Sequence, residues 1–152
     1  MIQWKEETII EANIEQVWEL FLDKNIKKIM PKVEDHTLIE KTEGEVGAKH
    51  QQKYREGKRV ETYIVETLAY ENKPEMKLKK VSFLLGKAFE ISFSFTLEKL
   101  GDRNTKFIYE GQNKGVNFVG RAMLKLGSEK SNRQVVQEFM DKVKQEAMKV
   151  RS

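Results

Sequence analysis

The chain has 152 residues, 34% of them charged, a formal net charge of +4 and no cysteine. That length suits a single domain able to bury a core without a staple, and the missing cysteine excludes disulfides, thiolate zinc sites and a cysteine nucleophile while fitting a reducing compartment. No apolar stretch approaches the ~18 residues of a membrane span and Met1 to Ala12 alternates with charges, so a cytoplasmic protein with no stable membrane insertion is expected.

In chain order, Ile2 to Glu11 reads as a strand. Asn13, with Gln16 three residues on, makes a capping-box start for a short amphipathic helix carrying Val17, Trp18 and Phe21, expected to end near Asp23. A second helical piece, Asn25 to Met30, stops at Pro31, because the residue before proline is pushed out of helical geometry. Strand signals follow over Thr37 to Lys41, Val46 to Arg55, Lys58 to Leu68, Glu75 to Leu85, Lys87 to Leu100 and Thr105 to Gln112. Turn residues such as Gly44, Glu56-Gly57, Gly86 and Gly101-Asp102-Arg103-Asn104 separate them. With the first strand these make about seven, joined by short turns that favour antiparallel neighbours.

Phe89, Ile91, Phe93, Phe95 and Leu97 alternate with Glu90, Ser92, Ser94, Thr96 and Glu98, giving a long one-sided strand that needs an apolar cover. The cover is the C-terminal region, where Val136, Met140, Val143 and Ala147 recur at helical spacing. Before it, Val116 to Leu126 reads as a short helix, and Gly127 to Gln134 lacks any apolar side chain. Two arrangements fit: a new helix starting at Asn132 behind a Ser131/Gln134 capping box, or one long helix with a polar middle. Gly115, Gly120 and Gly127 could hinge this region as a gate. From Asn117 onward eight Lys or Arg stand against four acids. No aromatic ladder accompanies them, so a solvated helix face is expected and no nucleic-acid partner.

The order strand, two small helices, six strands, long helix, together with Ala12, Val17-Trp18, Phe21, Asp23, Pro31, Gly44, Gly47 and Gly57, resembles the START-like (SRPBCC) superfamily of polyketide cyclases, birch-pollen-type allergens and lipid-transfer domains. The resemblance covers essentially the whole chain. It implies an α+β helix-grip fold, in which a curved seven-stranded antiparallel sheet surrounds a long C-terminal helix, with a cavity between them. Its members include carriers, sensors, enzymes and cochaperone domains, so the fold alone does not select a reaction.

Alternation groups His50, Gln52 and Tyr54 on one face of their strand, and Glu61, Tyr63 and Val65 on one face of the next. The resemblance makes those faces concave. The expected ligand-binding set is therefore His50, Gln52, Tyr54, Glu61, Tyr63, Phe89, Ile91, Phe93, Phe95, Phe107, Tyr109 and Met140: polar groups to hold a carbonyl or hydroxyl, and aromatics to clasp an apolar body. A blander arrangement is equally open, with Glu61 paired to a nearby cation and the tyrosines at the rim. His36, in Glu34-Asp35-His36-Thr37, reads as surface polarity at a strand edge, with no second histidine nearby, and no metal or cofactor is expected. No phosphate-cradling loop or nucleophile elbow is present in the sequence.

Three functions fit these residues. The first is binding or transport of a small hydrophobic molecule such as a lipid, isoprenoid, polyketide or flavonoid-like compound. The second is a cyclase- or hydratase-type enzyme using His50 or Glu61 as base. The third is a cochaperone-like interaction module presenting Val60, Thr62 and Ile64 on the convex face.

Overall fold

The computed structural model describes residues 1–126 and 129–149. Seven antiparallel strands form one sheet in the order β1-β7-β6-β5-β4-β3-β2. They are β1 (Ile2–Ile10), β2 (Val33–Glu40), β3 (Lys49–Glu56), β4 (Arg59–Asn72), β5 (Met76–Leu85), β6 (Phe89–Gly101) and β7 (Asn104–Gly115). Between β1 and β2 lie α1 (Ile14–Glu19), a 3-10 turn (Asp23–Asn25) and α2 (Ile26–Ile29); α3 (Phe118–Leu126) and α4 (Glu129–Lys149) follow β7.

The local signals act where they were expected. The Asn13 side chain accepts from the Glu15 amide at 2.9 Å, and Gln16 Oε1 accepts from the Asn13 amide at 3.4 Å, closing the capping box. The first helix stops at Glu19, short of Asp23, which begins the 3-10 turn instead. α4 is already helical at Glu129, so Ser131 and Asn132 lie inside it and do not start it. Whether the two C-terminal helices are continuous through Gly127, and whether Gly127 acts in a hinge, falls on residues outside those described.

Strand β2 begins at Val33, four residues before the expected start. The acidic Glu34-Asp35-His36 run carries no alternation to announce a strand, yet its backbone pairs with β3, with register shifts between Val33 and Asp35 and between Leu38 and Glu40.

The core sits between the concave face of the sheet and the helices. Val136, Met140, Val143 and Ala147 of α4 are all buried, together with Phe95, Leu97, Phe107 and Tyr109 of the sheet and Val17, Trp18 and Phe21 from the α1 region. Phe139 of α4 meets the sheet directly, its ring centroid 4.7 Å from Tyr109 and 5.6 Å from Phe95. Each such buried aromatic contributes roughly 1.5–3 kcal/mol of transfer free energy. Lys77 also shares this face: on β5 opposite Leu97, it is 2% exposed and ion-paired to Glu15 of α1 at 2.8 Å. Its ammonium also donates to Asn72 and lies 5.9 Å from the Trp18 ring, tying the first helix to the sheet. Val60 and Ile64 are exposed on the opposite face.

Three glycines permit close approaches, and at Gly115 a Cβ would fall 2.5 Å from the Arg121 amide nitrogen. A Cβ on Gly120 would stand 2.1 Å from the Ala88 carbonyl oxygen, so the start of α3 docks tightly on the β5–β6 turn. Gly120 is thus a packing glycine, held further by its own amide donating to Asn117 Oδ1 at 2.8 Å and by Asn117 Nδ2 donating to the Lys87 carbonyl at 2.9 Å. A Cβ on Gly111 would fall 2.5 Å from Trp4 Cζ2 and 2.6 Å from the Ser92 carbonyl oxygen. Gly111→Ala should therefore destabilise the fold by about 1–3 kcal/mol through overpacking. Urea denaturation checks this, the expected result being a lowered midpoint with an unchanged slope.

Candidate functional site

The register of the sheet assembles the site. His36 of β2 pairs with Gln52 of β3, which pairs with Tyr63 of β4, and His50 pairs with Val65. Residues directly opposite in an antiparallel ladder share a face, so these side chains form two neighbouring rows on the concave wall. Asp23, the first residue of the 3-10 turn, reaches them from above.

The result is a connected polar chain. His36 Nε2 lies 3.0 Å from Asp23 Oδ1 and His50 Nε2 lies 2.8 Å from Asp23 Oδ2. The two imidazoles are stacked, with centroids 4.6 Å apart and planes at 16°. Gln52 Nε2 donates to the Tyr63 hydroxyl at 2.7 Å and Gln52 Oε1 faces His36 Nδ1 at 2.8 Å. With the amide so turned, both nitrogens of His36 meet oxygen atoms. Turning the amide over runs the chain from Tyr63 through Gln52 and His36 to Asp23. In either arrangement Asp23 is the terminal acceptor. Hydrogen bonds from His36 and then His50 hold its carboxyl far below the ordinary carboxylate range, outweighing its partial burial.

This chain borders a partly open space of about 30 Å³. Its polar wall is His36, His50, Gln52 and Lys79; its floor is apolar, with Val81, Phe83, Phe93 and Phe95. Phe21, Ile26 and Met30 form the roof. The ammonium of Lys79 is pulled toward its neutral form by desolvation, with the charges of Asp23 and Glu45 opposing that shift. A second depression of about 660 Å³ lies on the outer face, bordered by Lys80, Ser92, Ser94 and Glu110. It is open and polar, without the concave apolar lining of a small-molecule site.

Of the residues singled out in the sequence, His50, Gln52, Phe93 and Phe95 border this space. Tyr63 stands behind Gln52 and stacks on Phe83 with centroids 4.3 Å apart. Phe107, Tyr109 and Met140 pack in the core under α4, and Tyr54 is partly buried between the two apolar clusters. Phe89 and Ile91 continue the same strand beyond the space without bordering it. Glu61 is engaged elsewhere, its Oε1 accepting from Arg59 Nη2 at 2.7 Å near the rim. His36 corrects the sequence reading: it is a strand residue stacked on a second histidine, not isolated surface polarity. Asp23, Lys79 and Thr67, which also borders the space, were not singled out as site residues. Strand pairing brings Thr67 and Lys79 to the inward face, whereas Asp23 comes from the 3-10 turn above it.

Comparison with solved structures places the whole chain in one architecture. An aromatase/cyclase from Streptomyces sp. R1128 matches with a TM-score of 0.71 at 15% identity, covering 96% of this chain and 93% of that one. Ara h 8.0201 matches at 0.69 and 12% identity, with 97% of each chain covered. A norcoclaurine synthase point mutant from Thalictrum flavum, in complex with a transition-state analogue, matches at 0.67 and 15% identity over 99% of this chain and 96% of that one. The chain has the helix-grip fold. No family model matches its sequence, and no curated protein does. This fold houses hydrophobic-ligand binders and cyclases alike, and no helix among the described residues is long and apolar enough to cross a membrane.

Burial in this wall has a measurable consequence for Tyr63, whose phenol is pushed up to about 12 by desolvation, against an ordinary value of 10.0. The unfolded chain loses this proton near 10 while the folded chain keeps it, so the associated stability is present below pH 10 and is lost as pH climbs toward 12. Tyr63→Phe should remove that part of the alkaline loss. Urea midpoints measured across this pH interval for both proteins check it.

Proposed function

We propose that this chain binds a small, largely apolar molecule between the sheet and the roof formed by residues 20–30. The observation that carries the reading is the partly open space with aromatic rings on one side and His36, His50, Gln52 and Lys79 on the other. Such a lining is what orients a guest with an apolar body and one polar end.

As it stands the space admits about one or two water molecules. A guest of ordinary size enters by moving a wall, and the roof is the wall least able to resist. α2 has four residues, too few to be a stable helix alone, and is held by the burial of Ile26 and Ile29. Each ~100 Å² of apolar guest surface buried supplies roughly 2.5 kcal/mol toward opening it and toward affinity.

Titration with a fluorescent anilinonaphthalene sulfonate dye tests the reading, alongside native mass spectrometry for a copurified molecule. Val81→Trp, which fills the floor, should weaken dye binding by about tenfold or more, whereas Met30→Ala, which thins the roof, should strengthen it. Equal binding by both variants and the parent, with folds verified by circular dichroism, overturns the proposal.

A second reading, cyclase- or hydratase-type catalysis, is favoured by one observation: His50 is 3% exposed, borders the space and is held by a carboxylate. A histidine so oriented is suited to general acid–base work. Under this reading His50→Ala abolishes turnover of a bound guest while guest binding persists; parallel loss of both favours binding alone.

A further inference from the structure

We infer that Asp23, His36 and His50 form a binding site for one divalent first-row transition ion, zinc by preference. The site shares His36 and His50 with the polar wall of the guest space, but it requires no guest and is tested without one.

The donor atoms of these three residues lie within 4.8 Å of one another. Two imidazole Nε2 atoms already converge on one carboxylate, at 3.0 and 2.8 Å. Neighbouring ligands in a tetrahedral zinc shell, with bonds of about 2.0–2.2 Å, stand about 3.3–3.6 Å apart. The aspartate–histidine separations thus need to grow by less than about 1 Å, and the two imidazole nitrogens to close by less than about 2 Å. An ion takes the place of the two N–H protons now directed at Asp23.

Independent of that convergence, the shell behind the donors is organised for a metal. A ligating histidine holds its second ring N–H on a carbonyl or carboxylate, which fixes the tautomer and aims the other nitrogen. Gln52 Oε1 supplies this at His36 Nδ1, 2.8 Å away, and is itself anchored through Gln52 Nε2 on Tyr63. The histidine side chains are only 8% and 4% exposed and sit on adjacent, paired strands, so their orientations are set by the ladder. The Asp23 side chain is 47% exposed and provides the entry path.

The donor set selects the class of ion. Two imidazoles and one carboxylate suit zinc, iron, cobalt or nickel; magnesium and calcium prefer all-oxygen sites. Three protein donors leave at least one coordination position for water or an oxygen of a guest. Because Asp23 belongs to the roof and both histidines to the wall, the ion would pin one to the other.

The sequence has two histidines and no cysteine, so imidazole ligation of an added metal can come only from these two rings and thiolate ligation is absent. The test is calorimetric titration of zinc chloride into untagged, chelator-treated protein. One equivalent should bind, without competition from magnesium chloride, and affinity should fall by about tenfold or more in His36→Ala, His50→Ala and Asp23→Ala. Histidine-ring nitrogen NMR of the unaltered protein supplies a readout that does not depend on variants folding. Zinc should move the Nε2 resonances of both rings while His36 Nδ1 keeps its proton. Absence of a saturable single equivalent, binding retained in both histidine variants, or unmoved Nε2 resonances would each overturn the site.

Discussion

The structure depends on one constraint, the antiparallel register that runs from β1 across to β2, interrupted only by local shifts in the β2–β3, β4–β5 and β6–β7 pairs. Because facing residues of an antiparallel pair share a side, the pairing decides which side chains point inward. One row carries Thr8, Phe107, Leu97 and Lys77, and another Val65 and His50. Slipping β3 by a residue would send His50 and Gln52 to solvent and bring Gln51 and Lys53 inside. Core and polar site are therefore products of the same pairing, and a change that loosens the ladder weakens both.

Within that frame the grip is tightest on the β6–β7 side. There Phe139 of α4 is clasped by Phe95, Phe107 and Tyr109. The partly open space is displaced toward β3–β5, where the cover is the short roof between Phe21 and Met30. The long helix thus serves as the fixed jaw. The covering segment, made of a six-residue helix, a 3-10 turn and a four-residue helix, is the part whose own hydrogen bonding contributes least to holding it in place.

The parts of this arrangement that obey a period were legible in the residues. Alternation along Phe89 to Leu97 and helical spacing along Val136 to Ala147 gave the two main surfaces of the core, and Asn13 with Gln16 marked the start of α1. The alternation of His50, Gln52 and Tyr54 likewise matches their common side in the ladder. What escaped were meetings that no local pattern encodes. His36 lies in a charge-rich run without alternation, and its neighbours Asp23, Gln52 and His50 are 13 to 16 residues away in the chain. In Met76 to Lys79 the pattern even points the wrong way. Alternation read alone would turn Leu78 inward, yet the register turns Lys77 and Lys79 inward, where Glu15 partners the first and the polar wall receives the second.

The outer strands β1 and β2 have a neighbour on one side only. Lone margins of this kind offer free amides and carbonyls to any passing strand, a route to fibrous assembly. On β2 the two register shifts interrupt the straight run of backbone groups, while Glu34, Asp35 and Glu40 place negative charge along it. On β1 the charges fall at Lys5, Glu6 and Glu7, midway along the strand. The irregular start that hid β2 from view thus has a use of its own: it spoils the template on which a second sheet could grow.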